Sequence, residues 1–524
     1  MKLSTWFGCS SWLPQYNREW LASDLVAAVV VTIMLIPQSL AYALLAGLPA
    51  QVGLYASMAP LLAYAVFGSS RAMAVGPVAV ASLMSAAAAG QFAQGNMELF
   101  YQASVVLAFI GGGVLIALGL LRAGFVANLL SHPVVGGFVS ASALLIAVGQ
   151  LGSVLGVSAK GETFFQTVMA LLKNFAQFDV ATALIGALAL LWLWAARKWG
   201  KNVLKGFGLK GLTLEIVFRA APVLAIVMSI VAVSLLQLSS VRTVGAIPTD
   251  LPGLFFPSLV FSRWEDLFVP AVLIALVGFV ETVSVGHALA AKRKQRIDPN
   301  QELLGLGAAN IASGVFGGYS VTGGFSRSVV NFDAGAQTPM AGVFTAGGIL
   351  LATLFLTPLL TNLPHATLAA TIIIAVLGLI DWHLPGMLWR YSKRDFLAYL
   401  LTVIVVLVAG VEAGIIAGVV FSILALLAAI SKPHIAVVGQ VPGTEHFRNE
   451  KRHKVTMVDG VVSVRVDESL YFPNARWLED ALLEVATQKP ETKAMVLQCN
   501  AINHIDASAL ESLEKIDENL QAMG

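Results

Sequence analysis

Residues 319–327 read Tyr-Ser-Val-Thr-Gly-Gly-Phe-Ser-Arg and interrupt an otherwise apolar part of the chain. The adjacent Gly323 and Gly324 disfavour a continuous helix here, because glycine has a low helix propensity. A similar interruption occurs in the first half of the chain, where Gly76 and Pro77 stand at the start of another apolar segment. Each pattern predicts a short helix that begins in the middle of an apolar segment rather than at its edge.

The composition indicates where these interruptions lie. The 524 residues are 57% hydrophobic and 12% charged, whereas a soluble domain is about 45–50% apolar and roughly 25% charged. Residues 1–431 hold 38 of the 62 charged residues, although they make up most of the chain. We therefore predict a membrane domain over 1–431, a linker over 432–454 and a small soluble domain over 455–524. A net charge of +2 excludes a nucleic-acid-binding face, and two distant cysteines exclude a disulfide framework or a zinc site.

Apolar segments recur along the membrane domain at lengths near the ~20 residues that a spanning helix needs. Twelve are clear, and the Gly- and Ser-rich region 303–335 is expected to hold two short, broken spans, which gives fourteen. With the N-terminus in the cytoplasm, the inner loops carry fifteen Lys and Arg residues and the outer loops carry four, as the positive-inside rule requires. Both termini are therefore predicted to be cytoplasmic. The clear segments are 25–46, 53–67, 78–90, 103–121, 127–149, 180–196, 217–237, 267–290, 339–357, 366–380, 396–411 and 413–430.

One interruption falls in the third of the first seven predicted spans, and the other falls in the third of the second seven. Because seven is odd, the halves are predicted to have opposite topology, so that the two short helices start near the midplane from opposite sides. Helix N-termini carry partial positive charge and unpaired N–H groups. The pattern therefore favours an anion-binding site between them.

Three charged residues are predicted to lie within the bilayer, where a charge is expensive and is a functional candidate by default. Arg327 is expected to attract an anion, and the alternative is a structural pairing with a buried acid or with helix-end carbonyls. Glu281, beside Thr282 in mid-span, suits a proton carrier or a cation ligand, and the alternative is a salt bridge to Arg327 that only stabilises the fold. Glu412 is expected to be a structural acid in a turn between two spans.

Polar residues also interrupt the first span. Gln38 and Tyr42 follow Pro37 and lie one helical turn apart, so both can face one cavity. A proline kink with a structural glutamine explains the pattern equally well.

Several motifs in order along the chain resemble those of the SulP anion permeases, whose animal relatives include pendrin and prestin. The first-span signature is matched by PQSLAYA at 37–43, LAGLP at 45–49 and GLY at 53–55. Gly76-Pro77 and the SRSVVN of 326–331 match the third and tenth spans of the family. The tail is similar to the sulfate-transporter and anti-sigma-antagonist (STAS) domain of such proteins.

The resemblance implies an all-α polytopic membrane domain of fourteen spans in two inverted repeats, with two broken half-helix spans, and a small α/β STAS-like cytoplasmic domain. Spans 1–4 and 8–11 would form a moving core, and spans 5–7 and 12–14 a gate that contacts the second subunit of a homodimer. No bound cofactor is implied, only a co-transported proton or sodium ion. The anion site implied between spans 1, 3, 8 and 10 consists of Gln38, Tyr42, Gly76, Pro77, Val78, Gly324, Ser326 and Arg327, and the coupling position consists of Glu281 and Thr282.

The tail is predicted to contain strands at 461–466 and 494–499, a helix at 474–486 and a last helix after Ser508. A complete STAS domain would continue with another strand and helix, so this domain is expected to be incomplete. Ser508 matches the position that anti-sigma antagonists phosphorylate, but here we expect it to cap the helix. The domain is expected either to serve regulation, through cytoplasmic partners, or to act as a platform for dimer and partner contacts.

The favoured function is a proton-coupled secondary active transporter of an inorganic anion, sulfate first, in the bacterial inner (plasma) membrane. Bicarbonate and C4-dicarboxylates are also substrates within the family, and an anion channel of the same fold is a second hypothesis. A nucleobase permease shares the broken spans, but Arg327 favours an inorganic anion. An enzyme is not expected, because the histidines have no metal or nucleophile spacing; they include His132, His287, His365 and His383.

Overall fold

The computed structural model describes residues 7–128, 131–158, 161, 163–208, 213–214, 217–218, 220–245, 253–255 and 263–523. The chain forms two compact units, residues 1–419 and residues 420–524.

Apolar helices build the first unit. Seven helices of the described ranges are long and apolar enough to cross a membrane, and four shorter ones are also apolar. Short 3-10 turns lie at Gly8–Ser11, Leu13–Gln15, Gly124–Asn128, Phe175–Gln177 and Thr357–Leu360. The helices are α1 Arg18–Leu45, α2 Ala50–Phe67, α3 Ala79–Ala93, α4 Met97–Leu120, α5 His132–Leu155, α6 Phe164–Asn174, α7 Val180–Gly206, α8 Ala221–Leu236, α9 Trp264–Lys292, α10 Pro299–Val315, α11 Phe325–Asp333, α12 Met340–Phe355, α13 His365–Leu377, α14 Leu384–Tyr391, α15 Lys393–Ala409 and α16 Val411–Ser431.

Each of the twelve clear predicted spans coincides with one of these helices, and the region 303–335 holds α10 and α11. The largest difference is at the end of α7, which continues to Gly206 because Lys and Arg are good helix formers and extend the helix beyond its apolar part. Gly410, with a φ of +94°, separates α15 from α16 in the predicted turn. Glu412 lies in the first turn of α16 rather than in the turn itself. The total of fourteen spans stays a prediction.

Both predicted interruptions contain a short strand followed by a short helix. β1 (Val75–Gly76) pairs antiparallel with β2 (Thr322–Gly323). α3 begins three residues after β1, and α11 begins two residues after β2. The pairing of β1 with β2 brings the segments that lead directly into the N-termini of α3 and α11 side by side, at a place that we call the crossing point.

A buried carboxylate holds the loop that leads into the first broken span. Glu302 of α10 is 0% exposed and accepts four hydrogen bonds. Its donors are the Tyr64 hydroxyl at 2.7 Å, the Ser69 amide and hydroxyl at 2.9 and 2.6 Å, and the Ser70 amide at 2.9 Å. Glu302 was not among the charges predicted to be buried.

A second buried carboxylate holds the loop that follows the second broken span. Asp24 of α1 accepts hydrogen bonds from the amide of Gln337 at 2.7 Å and from the amide and hydroxyl of Thr338 at 3.1 and 2.6 Å. Asp24 is also 0% exposed, and it too was not among the charges predicted to be buried. The two carboxylates therefore fasten the chain on either side of the crossing point to neighbouring helices.

The second unit contains four strands and two helices. They are β3 Ile435–Gln440, β4 Phe447–Asn449, β5 Val461–Val466, α17 Ala475–Gln488, β6 Ala494–Gln498 and α18 Ala507–Ala522. The strands form one sheet with the order β4-β3-β5-β6, in which β5 and β6 are parallel and the other pairs antiparallel. Apolar side chains of β5, α17 and α18 form the core of the unit. The elements predicted from the sequence are present within three residues of their predicted ends.

Two predictions for the tail need correction. The linker predicted over 432–454 contains β3 and β4, which belong to the sheet; the alternation that buries Ala436 and Val438 was overlooked. The N-cap of α18 is Asp506 rather than Ser508, and it accepts hydrogen bonds from the amides of Ala509 and Phe472, both at 2.8 Å. These bonds to the charged form hold the pKa of the Asp506 carboxyl below its usual value.

Candidate functional site

The N-termini of α3 and α11 have no side-chain cap in the structure. Val78 is the N-cap residue of α3, and Gly324 is the N-cap residue of α11. The first-turn N–H groups of a helix have no intrahelical acceptor, so an uncapped N-terminus leaves them available to a ligand. The predicted site residues Gly76, Pro77, Val78 and Gly324 thus lie together at the crossing point.

Arg327 lies in the first turn of α11 and is only 2% exposed. Its atoms Nη1 and Nη2 are buried and have no hydrogen-bond acceptor among the described residues. A methyl group at Gly76 would collide with Nη1, and one at Gly324 would collide with Nε, so both glycines provide the space for the guanidinium. The uncharged phenols of Tyr42 and Tyr319 lie near it and do not neutralise its charge. The site therefore contains a buried positive charge without a direct protein acceptor for its terminal nitrogens.

A cavity of about 220 Å³ reaches the site from one side. Gln38 and Ser326 line it, and the Gln38 amide makes no hydrogen bond to the described residues. No described residue that lines this cavity is acidic. The lining residues are Met34, Pro37, Gln38, Leu193, Ala196, Arg197, Phe218, Ala221, Pro222, Ser326, Thr371, Ile374 and Ala375.

Glu281 of α9 is partly buried and lines a small apolar cavity of about 20 Å³. Its carboxylate makes no hydrogen bond and no ion pair within 4.0 Å to any described residue. It interacts with Arg327 electrostatically, but the two do not form the salt bridge considered as the alternative. The residues around the cavity are Val80, Val134, Val135, Phe138, Val139, Val277, Val280 and Ile415.

The hydroxyl of Thr282 is engaged with the second broken span. It accepts a hydrogen bond from the amide of Gly323 at 2.9 Å, donates to the carbonyl of Gly278 at 2.6 Å and lies 3.1 Å from the hydroxyl of Thr322. These contacts position β2 next to α9. A coupling role for Thr282 stays a prediction.

Three further side chains hold the irregular backbone before α11, and sequence analysis did not identify them. Asn310 pairs with both the amide and the carbonyl of Val321, at 3.0 and 2.9 Å. Ser313 donates to the carbonyl of Tyr319 at 2.7 Å, and Tyr101 donates to the carbonyl of Gly317 at 2.8 Å. The available signal was a polar residue within an apolar span, which needs a partner inside the membrane.

A family model described as the sulfate permease family matches residues 21–402. The chain belongs to this family. A model of the STAS domain matches residues 453–524. Sulfate transporter 4.1, chloroplastic, of Arabidopsis thaliana is 37% identical over 527 residues, which cover 98% of this chain and 76% of the relative. A probable sulfate transporter of Mycobacterium tuberculosis is 32% identical over 519 residues, which cover 97% of this chain and 89% of the relative.

Two solved structures have a similar fold. The anion transporter SLC26A9 superposes with a TM-score of 0.90 at 23% identity, covering 99% of this chain and 86% of that chain. The transmembrane domain of the cyanobacterial bicarbonate transporter BicA gives a TM-score of 0.66 at 21% identity, covering 76% and 98%. The predicted fold class and the resemblance to the SulP permeases are confirmed. This sulfate permease family protein is an integral membrane transporter of anions and not an enzyme.

Replacing Thr282 tests whether its hydroxyl positions β2. In Thr282→Val the buried amide of Gly323 loses its acceptor, which lowers the stability of this local arrangement by about 1–3 kcal/mol. We expect anion uptake into proteoliposomes to fall about tenfold, with the same relative response to pH and sodium. Thr282→Ser keeps the hydroxyl and should retain most of the uptake. A changed pH or sodium response in Thr282→Val would instead indicate a direct coupling role.

Proposed function

We propose that this protein is a proton-coupled secondary active transporter of sulfate, which it binds between the N-termini of α3 and α11. The observation that carries the proposal is the buried guanidinium of Arg327, whose terminal nitrogens have no acceptor in the described protein. A buried charge is unfavourable unless it is paired. A bound oxyanion would provide the missing acceptors, since a guanidinium and backbone N–H groups both suit such an anion.

Glu281 supports the coupling part of the proposal. An unpaired carboxylate next to apolar residues of α3, α5 and α16 is poorly stabilised when it is ionised. Binding a proton there lowers the net charge that accompanies a divalent anion through the membrane. Movement of the core helices relative to the gate helices would then expose the site alternately on each side.

The membrane orientation, the location and the oligomeric state are part of the same proposal. Basic residues are concentrated in the loops on the side of the N-terminus, so we place both termini in the cytoplasm. We propose a bacterial inner membrane as the location. We propose a homodimer formed through the gate helices, with cytoplasmic regulators acting through the STAS domain.

Radiolabelled sulfate in proteoliposomes tests the substrate and the mechanism. We expect saturable counterflow of labelled sulfate, in which unlabelled sulfate competes with the label for the transporter. We also expect uptake to increase with an inward proton gradient in the absence of sodium. Uptake of bicarbonate or a C4-dicarboxylate without sulfate uptake would overturn the substrate assignment. A requirement for sodium would overturn proton coupling, and non-saturating chloride currents in planar bilayers would indicate a channel.

Glu281→Gln should remove the response of sulfate uptake to pH. The amide cannot take up or release a proton, so we expect uptake to change less than about twofold across the pH range in which the wild type changes about tenfold. Glu265→Gln is the matched control, because Glu265 is an exposed acid in the first turn of the same helix. If Glu281→Gln retained the wild-type pH profile, the coupling role of this carboxylate would be refuted.

A further inference from the structure

Arg197 of α7 lines the same cavity as Gln38 and Ser326. It is the only charged residue among the described residues that line this cavity, and it is exposed, whereas Arg327 is 2% exposed. Arg197 belongs to the predicted gate, and Ser326 to the predicted core. An anion in the cavity would therefore meet a positive charge on the gate side before it reaches the buried site.

The contacts of Arg197 leave part of its guanidinium available. Nη1 donates to the carbonyl of Ile374, near the C-terminal end of α13, at 2.8 Å. A side chain at Gly378 would collide with this guanidinium, so the absence of a side chain there creates its space. Among the described residues no acid forms an ion pair with Arg197 within 4.0 Å. The bond to Ile374 fixes the orientation of the guanidinium without neutralising its charge.

The surroundings of Arg197 on α7 are also basic. Lys198, Lys201 and Lys205 follow it on the last turns of the helix. Lys198 lies over the rings of Trp194 and Trp199, at 4.8 and 5.1 Å from their centroids, and is not part of the cavity lining. Clustered positive charge beside a cavity raises the local concentration of anions. Arg197 is the member of this cluster that lines the cavity.

We propose that Arg197 forms a second anion-binding position, which captures a small oxyanion such as sulfate on the cytoplasmic side and passes it towards Ser326 and Arg327. The inference rests on the proposed function, because it assigns one access side to the same transport site. A guanidinium with free N–H donors recognises the oxygens of such an anion through paired hydrogen bonds. The position contributes to binding from one face of the membrane only.

Sulfate uptake into right-side-out and inside-out membrane vesicles separates the two faces. In Arg197→Gln we expect the KM for sulfate on the cytoplasmic face to rise about tenfold, and the KM on the opposite face to stay within about twofold of the wild type. Arg197→Lys keeps the charge but lacks the paired donors of the guanidinium, so it should restore only part of the cytoplasmic affinity. The matched control Lys198→Gln, on the same helix but outside the cavity lining, should change both KM values by less than about twofold, because it removes nearby charge but no direct contact with the anion.

Other outcomes refute the inference. If Arg197 only fastens α7 to α13, Arg197→Gln and Arg197→Lys reduce the folded yield and turnover and leave the KM on both faces unchanged. An equal rise in KM on both faces would also refute a one-sided binding position. Wild-type vesicles that take up no anion would refute the proposed function itself, whereas wild-type uptake with unchanged KM values in Arg197→Gln refutes only this inference.

Discussion

Arg327→Gln should abolish sulfate transport while the purified protein remains at least as stable as the wild type. A charge pair 4 Å apart is worth about 4 kcal/mol at an effective dielectric constant near 20. Loss of this attraction at the anion site therefore predicts a fall in transport of about 100- to 1000-fold. Stability should not fall, because Nη1 and Nη2 form no hydrogen bond in the described protein and a neutral side chain relieves a buried charge.

Two measurements separate this expectation from a structural role. Sulfate counterflow reports the site, and the melting temperature of the protein in detergent reports the fold. Arg390→Gln is the control, since Arg390 is an exposed arginine of α14 and should affect neither measurement. If Arg327→Gln lowered the melting temperature in proportion to the loss of transport, Arg327 would be a structural residue and the proposed anion site would be wrong.

The broken spans and the charges near them were predictable because their signals are local. A Gly-Pro pair or two adjacent glycines within an apolar segment are visible without any knowledge of the fold. Arg327 and Glu281 stand out for the same reason, since an ionisable residue within an apolar run is rare. The antiparallel pairing of Val75 with Gly323 was not visible, because the two residues are distant in the chain.

The partners of the residues that hold the site in place were not predictable from the sequence. Asn310 and Tyr101 bind backbone groups of the segment before α11, and the partner of Tyr101 is 216 residues away. Glu302 follows a polar stretch, Asp298-Pro299-Asn300-Gln301, so the sequence places it at a loop end rather than in the interior. Only the packing of α10 against α2 buries its carboxylate.

Glu302→Ala should cause the largest loss of stability among the changes considered. The substitution leaves the Tyr64 hydroxyl, both donors of Ser69 and the Ser70 amide without their acceptor. Orphaned buried donors cost about 1–3 kcal/mol each, and the effects of neighbours are not additive, so we expect the free energy of unfolding to fall by roughly 3–5 kcal/mol. The melting temperature and the monodisperse yield in detergent measure this loss.

Glu302→Gln distinguishes hydrogen bonding from charge. The amide oxygen can still accept from Ser69 and Ser70, and the amide nitrogen can donate to the Tyr64 hydroxyl, which then acts as an acceptor. We therefore expect the glutamine variant to lose less than half of the stability that alanine loses, and Glu265→Ala, at an exposed acid of α9, to lose almost none. Equal losses for glutamine and alanine would show that the negative charge, rather than the set of accepted hydrogen bonds, fixes the loop before β1. Because that loop leads directly to Gly76, which provides space for Arg327, the alanine variant should also lose transport in the fraction that remains folded.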